Sequence, residues 1–294
     1  MIKTSYAICF GEVLWDVFDK GKQIGGAPLN VCYHLSQLGV TSKIVSQVGN
    51  DQDGKDILAQ LHEMGLGDHY CDVSDTYPTS TVVVKPSGGS VTYEITPNVA
   101  WDHIPTTPQL FSTIQTADVF IYGSLAARSE VSRHSLYTYL KFANWKVFDI
   151  NLRQSHYTRE SIALLLGECD TLKVNDEELA LLGKWYGCGI QPYEDIVAVL
   201  RAKFPNLSEI IITMGPDGAM YFSDGEQLVL PATPVNVVNT VGCGDAFLAA
   251  FIANKLAHKP IAHCLQQAIL LSAFVATQEG GCPKYSDNMR YIGS

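Results

Sequence analysis

Asp245 stands in "NTVGCGDAF" (239–247), with Gly242 and Gly244 just before it and the apolar run "LAAFIANKL" directly behind. Glycines at a helix entrance let backbone N–H groups approach an anion, and the helix dipole favours negative charge there. A carboxylate in the same turn is placed to take a proton from an attacking hydroxyl. Together these are the parts that phosphoryl transfer to an alcohol requires: positioning, charge stabilisation and a base. Asp and Gly are also favourable at a helix start for folding alone. Residues elsewhere must decide between the two.

Five further stretches carry groups of the right kind. "GGAPLNVCYHLSQLG" (25–39) sets Gly25, Gly26 and Asn30 before a helix, where bare backbone and an amide could hold a polyol. Asp16, in "LWD" after the first strand, could accept from two adjacent hydroxyls. "DINLR" (149–153) ends a strand with Asn151 and Arg153, at the end of a parallel sheet where ligands bind. Arg153 is a candidate for the transferring phosphate. "KVNDEE" (173–178) puts Asn175 and Glu178 after another strand, suited to hydrated magnesium held through water. "TMGPDGA" (213–219) adds Gly215 and Gly218, which suit close approach of a nucleotide. "GNDQDGKD" (49–56) imitates a P-loop but ends in Asp56 where Ser or Thr must reach the metal, and reads as a loop before a helix.

These groups sit on alternating elements. Six short apolar runs (6–13, 43–49, 118–124, 146–151, 171–175 and 209–215) read as strands buried on both faces. Helical spacing fills 30–39, 54–65, 131–143, 161–169 and 193–204, and the end of the chain, from 246 to 280, is helical. The alternation predicts an α/β fold, with a mostly parallel sheet covered on both faces. Segments 13–26 and 79–96 break it as hairpins, with turns at Lys20-Gly21-Lys22 and Pro-Ser-Gly-Gly, and predict a small β lid. The expectation is one domain over 1–294 that carries this lid, whose exposed face is a candidate surface for a homodimer.

Composition excludes several functions. The 294 residues are 47% hydrophobic with a net charge of −10 and no basic cluster, which argues against nucleic acid or anionic membrane as partner. Eight scattered cysteines without a CxxC pair suggest buried thiols in a reducing compartment, and no histidine spacing suggests zinc. The first residues carry no targeting signature and no apolar run is long enough to span a bilayer, so a cytoplasmic location is expected.

The chain resembles the ribokinase-like (PfkB) carbohydrate kinases from Gly11 to about Pro283. Two signatures carry the likeness, "GGAPLNVCYHLSQLG" and "NTVGCGDAFLAAF", in the family's order and separation. Within the family, "GEVLWD", "TYEITPNVAWDHI", "YGSLAARSEVSR" and "DINLR" are most similar to the fructokinases. The resemblance implies a three-layer α/β/α ribokinase-like fold and phosphorylation of a sugar's primary hydroxyl by ATP and Mg2+, with D-fructose the foremost acceptor. Asp245 would be the base, the amides of Gly242, Cys243 and Gly244 the anion hole, and Arg153 a further catalytic cation. Asp16, Gly25, Gly26 and Asn30 would hold the sugar. Asn175 and Glu178 would organise magnesium, while Thr213, Gly215, Gly218 and Thr240 would lie along the nucleotide. Two positions depart from the family, which usually has Asp at Asn239 and Ala at Cys243. The neutral Asn239 implies weak binding of a monovalent cation, because a carbonyl oxygen without charge holds a hard cation less well. A nucleoside kinase of the same family and a catalytically silent sugar sensor on this fold are the alternatives. A nicotinamide dehydrogenase fails, because no GxGxxG follows the first strand.

Overall fold

The computed structural model describes residues 5–18, 21–87, 90–153, 156–188 and 192–285. The first apolar run becomes strand β1 (Tyr6–Phe10). Its side chains alternate between layers: Ala7 and Cys9 pack on one face of the sheet, Ile8 and Phe10 on the other. A strand covered on both faces needs no polar alternation, which is why such runs read as continuously apolar.

After β1 the chain leaves the sheet through a hairpin, β2 (Leu14–Phe18) and β3 (Gly21–Gly25), then returns by helix α1 (Ala27–Gln37) to β4 (Thr41–Gly49), parallel to β1. Helix α2 (Gln52–Glu63) and β5 (Cys71–Ser74) follow, and a second hairpin comes next, β6 (Ser80–Ser87) and β7 (Ser90–Ile95). Helix α3 (Pro108–Thr116) leads to β8 (Val119–Gly123), which pairs with the other side of β1. From there α4 (Glu130–Leu140), β9 (Lys146–Asp149), α5 (Arg159–Leu166) and β10 (Thr171–Asn175) keep the alternation. Helices α6 (Asp176–Tyr186) and α7 (Tyr193–Lys203) precede β11 (Glu209–Thr213). Strands β12 (Ala219–Ser223) and β13 (Glu226–Leu230) close the sheet antiparallel, before α8 (Cys243–Leu256) and α9 (Ile261–Ala276).

The central sheet runs β13-β12-β11-β10-β9-β8-β1-β4-β5 and grows away from β1 in both directions. Its parallel middle is as the apolar runs predict; the edge strands β5 and β13, and β12 beside β13, are strands that those runs did not mark. Helices α1, α2 and α8 cover one face, α3 to α7 cover the other, and α9 packs with α8 over β11 and β12. This is the expected three-layer α/β/α arrangement. From Asp245 to Asn254 every residue of α8 is buried, so this helix is apolar all round rather than along one stripe. Among the described residues no helix is long and apolar enough to cross a membrane, and all eight cysteines are free.

The two hairpins make one sheet of four strands, ordered β3-β2-β6-β7, in which β2 and β6 run parallel. Lys20 and the Gly88-Gly89 pair, placed at the hairpin tips by sequence, lie outside the described residues. The P-loop imitation folds as a capped helix start. Asp51 accepts from the Gly54 N–H at 2.7 Å, from the Thr79 N–H at 2.8 Å and from the Thr79 hydroxyl at 2.6 Å. One carboxylate thus ties α2 to the root of β6. Burial alone would raise its pKa, but these donors outweigh burial and hold it below the usual carboxylate range.

A group depressed on folding stabilises above its unfolded pKa and loses that contribution as pH falls through its folded pKa. Asp51→Ala should therefore cost about 1–2 kcal/mol at neutral pH, the usual loss for a cap with extra donors. The gap to the wild type in urea unfolding should shrink as the pH is lowered toward 3 (about one unit below an ordinary Asp). A gap that is negligible at neutral pH, or that widens in acid, would refute this role.

Candidate active site

Beyond the carboxyl ends of β1, β8 and β9 lies a cleft of about 270 Å³, where the sheet's growth divides and where ligands of such sheets bind. Its walls bring together Asp16, Gly26, Asn30, Arg153, Thr240, Gly242, Gly244 and Asp245, residues that the sequence places up to 229 positions apart. The second sheet contributes Leu14, Asp16, Val82 and Ile95 to the opposite wall.

Asp245 lies in the first turn of α8 and is only 8% exposed. Asn30 is held by α1 and donates from Nδ2 to Asp245 Oδ2 at 2.8 Å; its own Oδ1 faces the Cys282 thiol at 3.2 Å. Burial, and then the charge of Asp149, push Asp245 up to about 6, against the pull of Lys173, Asn30 and Arg153. Gly242 enters α8 with φ 79, and a Cβ there would meet the Cα of Gly281 at 2.5 Å. Backbone conformation and close packing both require glycine at this position. In the first turn of a helix the N–H groups lack intrahelical acceptors. That of Cys243 is partly spent on the Thr240 carbonyl at 3.3 Å, and Gly242, Gly244 and Asp245 line the cleft where Cys243 does not.

Gly244 has a neighbour that the sequence reading passed over. Its missing Cβ would lie 2.9 Å from Lys173 Nζ. Lys173, on β10, bridges both oxygens of Asp149, at 3.0 and 2.9 Å, and both side chains are more than nine-tenths buried. Burial favours the neutral amine, but the surrounding carboxylates of Asp149, Glu178 and Asp245 win and hold its pKa above the ordinary lysine value. A full positive charge therefore sits beside Gly244, in the first turn of α8. A lysine in the middle of "TLKVN" was the available signal, since a charge in a strand buried on both faces needs a partner.

Glu12 was passed over as well. It follows β1, is 4% exposed, and its Oε2 has no hydrogen-bond partner among the described residues. Burial raises its pKa to about 7, and raises that of Asp16 to about 6, with Arg153 opposing both. Gly25 and Gly26 serve this acidic wall differently. The carboxylate of Asp16 occupies the space beside Gly25, and the carbonyl of Glu12 the space beside Gly26; only Gly26 lines the cleft itself. Asn151, also in the lining, holds φ 37, a left-handed conformation that Asn tolerates better than most residues.

Asn175 and Glu178 form a capping box on α6. Asn175 Oδ1 accepts from the Glu178 N–H at 2.8 Å, and Glu178 Oε2 accepts from the Asn175 N–H at 2.9 Å. Glu178 Oε1 also accepts from the Leu152 N–H at 2.8 Å, binding the helix to the loop that carries Arg153. Thr213 pairs in register with Asn175, so the two stand side by side at the carboxyl ends of β11 and β10. Gly215 turns with φ 53, and Gly218 packs directly on the backbone of 230–232, so that no side chain fits at that position. Asn239 accepts the Val241 N–H on its Oδ1 at 2.9 Å. Behind the glycine turn, His34 is fully buried, with Nε2 2.8 Å from the Gly281 carbonyl and Nδ1 2.7 Å from the Tyr285 hydroxyl. A carbonyl only accepts, so Nε2 carries the hydrogen. Burial lowers this imidazole to about 4 and keeps it neutral.

Asn30→Ala should raise the midpoint of Asp245 above about 6, because it removes the donor that favours the ionised form. Carbon-13 NMR titration of the Asp245 carboxyl reads this directly. An unchanged or lower midpoint would show that the Asn30 contact does not stabilise the charge.

The family model for the pfkB family carbohydrate kinases matches residues 1–288. A fructokinase of Klebsiella pneumoniae is 30% identical over 80% of this chain and 77% of its own length. Fructokinase-2 of Oryza sativa subsp. japonica is 28% identical over 94% of this chain and 89% of its own. The crystal structure of an uncharacterized sugar kinase from Pyrococcus horikoshii in complex with ATP is 25% identical, covers 94% of each chain, and superposes with a TM-score of 0.81. The chain belongs to the pfkB family of carbohydrate kinases, phosphotransferases that act on an alcohol group.

Proposed function

We propose that this chain transfers the terminal phosphoryl group of ATP to the primary hydroxyl of a sugar, with D-fructose the preferred acceptor. The observation that carries the reading is Asp245 at the mouth of α8, with its pKa raised to about 6, in one cleft with Asp16, Arg153 and Lys173. Relatives named as fructokinases and a similar kinase structure that holds ATP support the choice of substrates.

In this reading Asp16 and Asn30 orient the sugar, and Asp245 takes the proton of the attacking hydroxyl. At neutral pH a carboxylate near 6 is mostly ionised yet more basic than an exposed aspartate, which suits a general base. The first-turn amides of α8, with Lys173 beneath them and Arg153 across the cleft, offset the charge on the transferring group. Asn175, Thr213, Gly215, Gly218 and Thr240 flank the nucleotide, and the exposed Val237 and Val238 offer its base an apolar surface. Gly218 acts there through backbone packing alone.

The donor set fits a magnesium ion that travels on the nucleotide phosphates. Among the described residues no three His, Cys, Asp or Glu side chains gather as a chelating site. Glu178 is held by backbone donors on both oxygens and can still accept from a hydrated ion's water. When bound, the ion would draw charge from the phosphoryl oxygens. Asn239 brings a neutral oxygen already engaged by Val241, which leaves little to hold a monovalent cation. The four-stranded sheet acts as a lid, closing Leu14, Val82 and Ile95 over the sugar and excluding water.

A panel of sugars and adenosine with magnesium-ATP, read by ADP release, should rank fructose first. Adenosine ahead of every sugar would overturn the acceptor class. Asp245→Asn should lower kcat on the best acceptor by roughly 10²–10⁴, the range for a lost general base, with little change in fold or ATP affinity. A variant that turns over near the wild-type rate would remove Asp245 from the role. Asp16→Ala should raise the sugar KM and leave the ATP KM nearly unchanged.

A further inference from the structure

A second cleft, of about 380 Å³, opens next to the first, between residues 97–103, 127–133 and 156–161. Its wall carries Arg128, Arg133, His103 and His156 against one carboxylate, Asp102. In a chain with a net charge of −10 this balance is unusual. Nothing in the proposed phosphoryl transfer uses these residues.

The single carboxylate is already committed. Arg128 grips both oxygens of Asp102, from Nε and Nη2, at 2.7 Å each, and Nη2 also donates to the Thr96 carbonyl at 2.8 Å. Asp102 further accepts the Val99 N–H. The guanidinium lies 4.0 Å from the centre of the Trp101 ring, its side chain is only 7% exposed, and Nη1, itself buried, has no partner among the described residues. A buried guanidinium donor left unmet is costly, and an anion at the cleft wall would relieve that cost. Arg133 donates from Nη1 to the Ala127 carbonyl at 3.2 Å and forms no ion pair among the described residues. Burial, and then the nearby charge of Arg128, lower the pKa of His156, so its ring stands neutral beside the two arginines. Two guanidinium groups with donors to spare suit an oxygen-rich dianion better than a single carboxylate. The volume leaves room for more than the phosphate group alone.

We propose that this cleft is a second anion site, which binds the phosphate group of a small phosphate ester between Arg133 and the unpaired edge of Arg128. It is separate from the glycine turn of α8, none of whose residues line it. Two hydrogen bonds connect it to the catalytic cleft. The His156 N–H donates to the Arg153 carbonyl at 3.0 Å, and Arg128 holds Thr96, the residue after Ile95 in the catalytic wall. Occupancy is therefore transmitted to the loop of Arg153 and to the strand that leaves the lid. By linkage, an ester that binds more tightly when sugar is present must lower the sugar's dissociation constant by the same factor.

The test is equilibrium dialysis of labelled 3-phosphoglycerate, and separately of inorganic phosphate, against the full chain saturated with magnesium and a non-hydrolysable ATP analogue. The analogue keeps the catalytic anion site filled, so the result does not depend on the proposed acceptor or base. The expected result is one saturable site for the ester in the wild type and in Asp245→Asn, weakened at least about tenfold in Arg133→Gln. Arg128→Lys, which keeps the charge and loses the fork, should weaken it as well. Saturation by inorganic phosphate with the same loss in Arg133→Gln would support recognition of the phosphate group itself. No saturable binding below about 10 mM, or wild-type affinity in Arg133→Gln, would overturn the proposal. Equal competition by acetate would overturn the ligand class.

Discussion

The structure depends on a carboxylate kept charged where burial opposes it. Asp245 sits inside the molecule, at the end of a helix that is itself buried on every side. Left alone, such a group would take up a proton and lose its charge. The Asn30 amide, the Lys173 ammonium and the Arg153 guanidinium restrain that tendency, and the carboxyl settles at about 6 instead of much higher. Each restraint has its own support. Asn30 is placed by α1, Lys173 by β10 and its bridge to Asp149, and Arg153 by the loop that Glu178 ties to α6. Removing Lys173 would strand Asp149 as a buried, unpaired charge, so the electrostatics of the site and the stability of the fold are one problem.

The topology solves it economically. A sheet that grows outward in both directions from β1 leaves a crevice beyond the strand ends, and loops from β1, β8 and β9 all meet there. Helix α8 comes late in the chain and inserts its positive end into the crevice, against the turn at Gly281 that His34 holds in place. The second sheet then covers the open side. Its roots are fixed to the body at both ends, by Asp51 and Thr79 before β6 and by Arg128 after β7. Between those anchors β6 and β7 carry Val82 and Ile95 over the cleft, and β2, paired with β6, carries Asp16.

Much of this was legible in the sequence, and the reasons are physical. The parallel strands stood out because double-sided burial makes each a compact apolar run, as in "EIIITMG". The two glycine turns and Asp245 stood out because few folds need bare backbone and a carboxylate together at a helix start. The edge strand β13 was hidden, since "EQLVL" is largely exposed and has no run to detect. Helix α6 was hidden too: its start doubles as the Asn175–Glu178 capping box, which sequence spacing alone does not separate from a ligand-holding pair. The union of the two hairpins through parallel β2 and β6 is a long-range pairing with no local signal. Lys173 and Asp149 were on the page as residues, but their bridge, and the place of the amine under Gly244, exist only once β9 and β10 are side by side.

The central claim is that Asp245, raised to about 6 and held ionised by its neighbours, is the proton acceptor in the turnover step. The pH dependence of kcat at saturating ATP and fructose tests it most directly, because saturation removes the contribution of substrate binding. The account predicts a plateau at neutral pH and an acid limb with a midpoint at or above about 6, falling tenfold per pH unit below it, since the base must be unprotonated. In Asp245→Asn the residual rate should show no such limb. A kcat that stays flat down to pH ~4, the range of an ordinary exposed aspartate, or a limb that survives unchanged in Asp245→Asn, would contradict it.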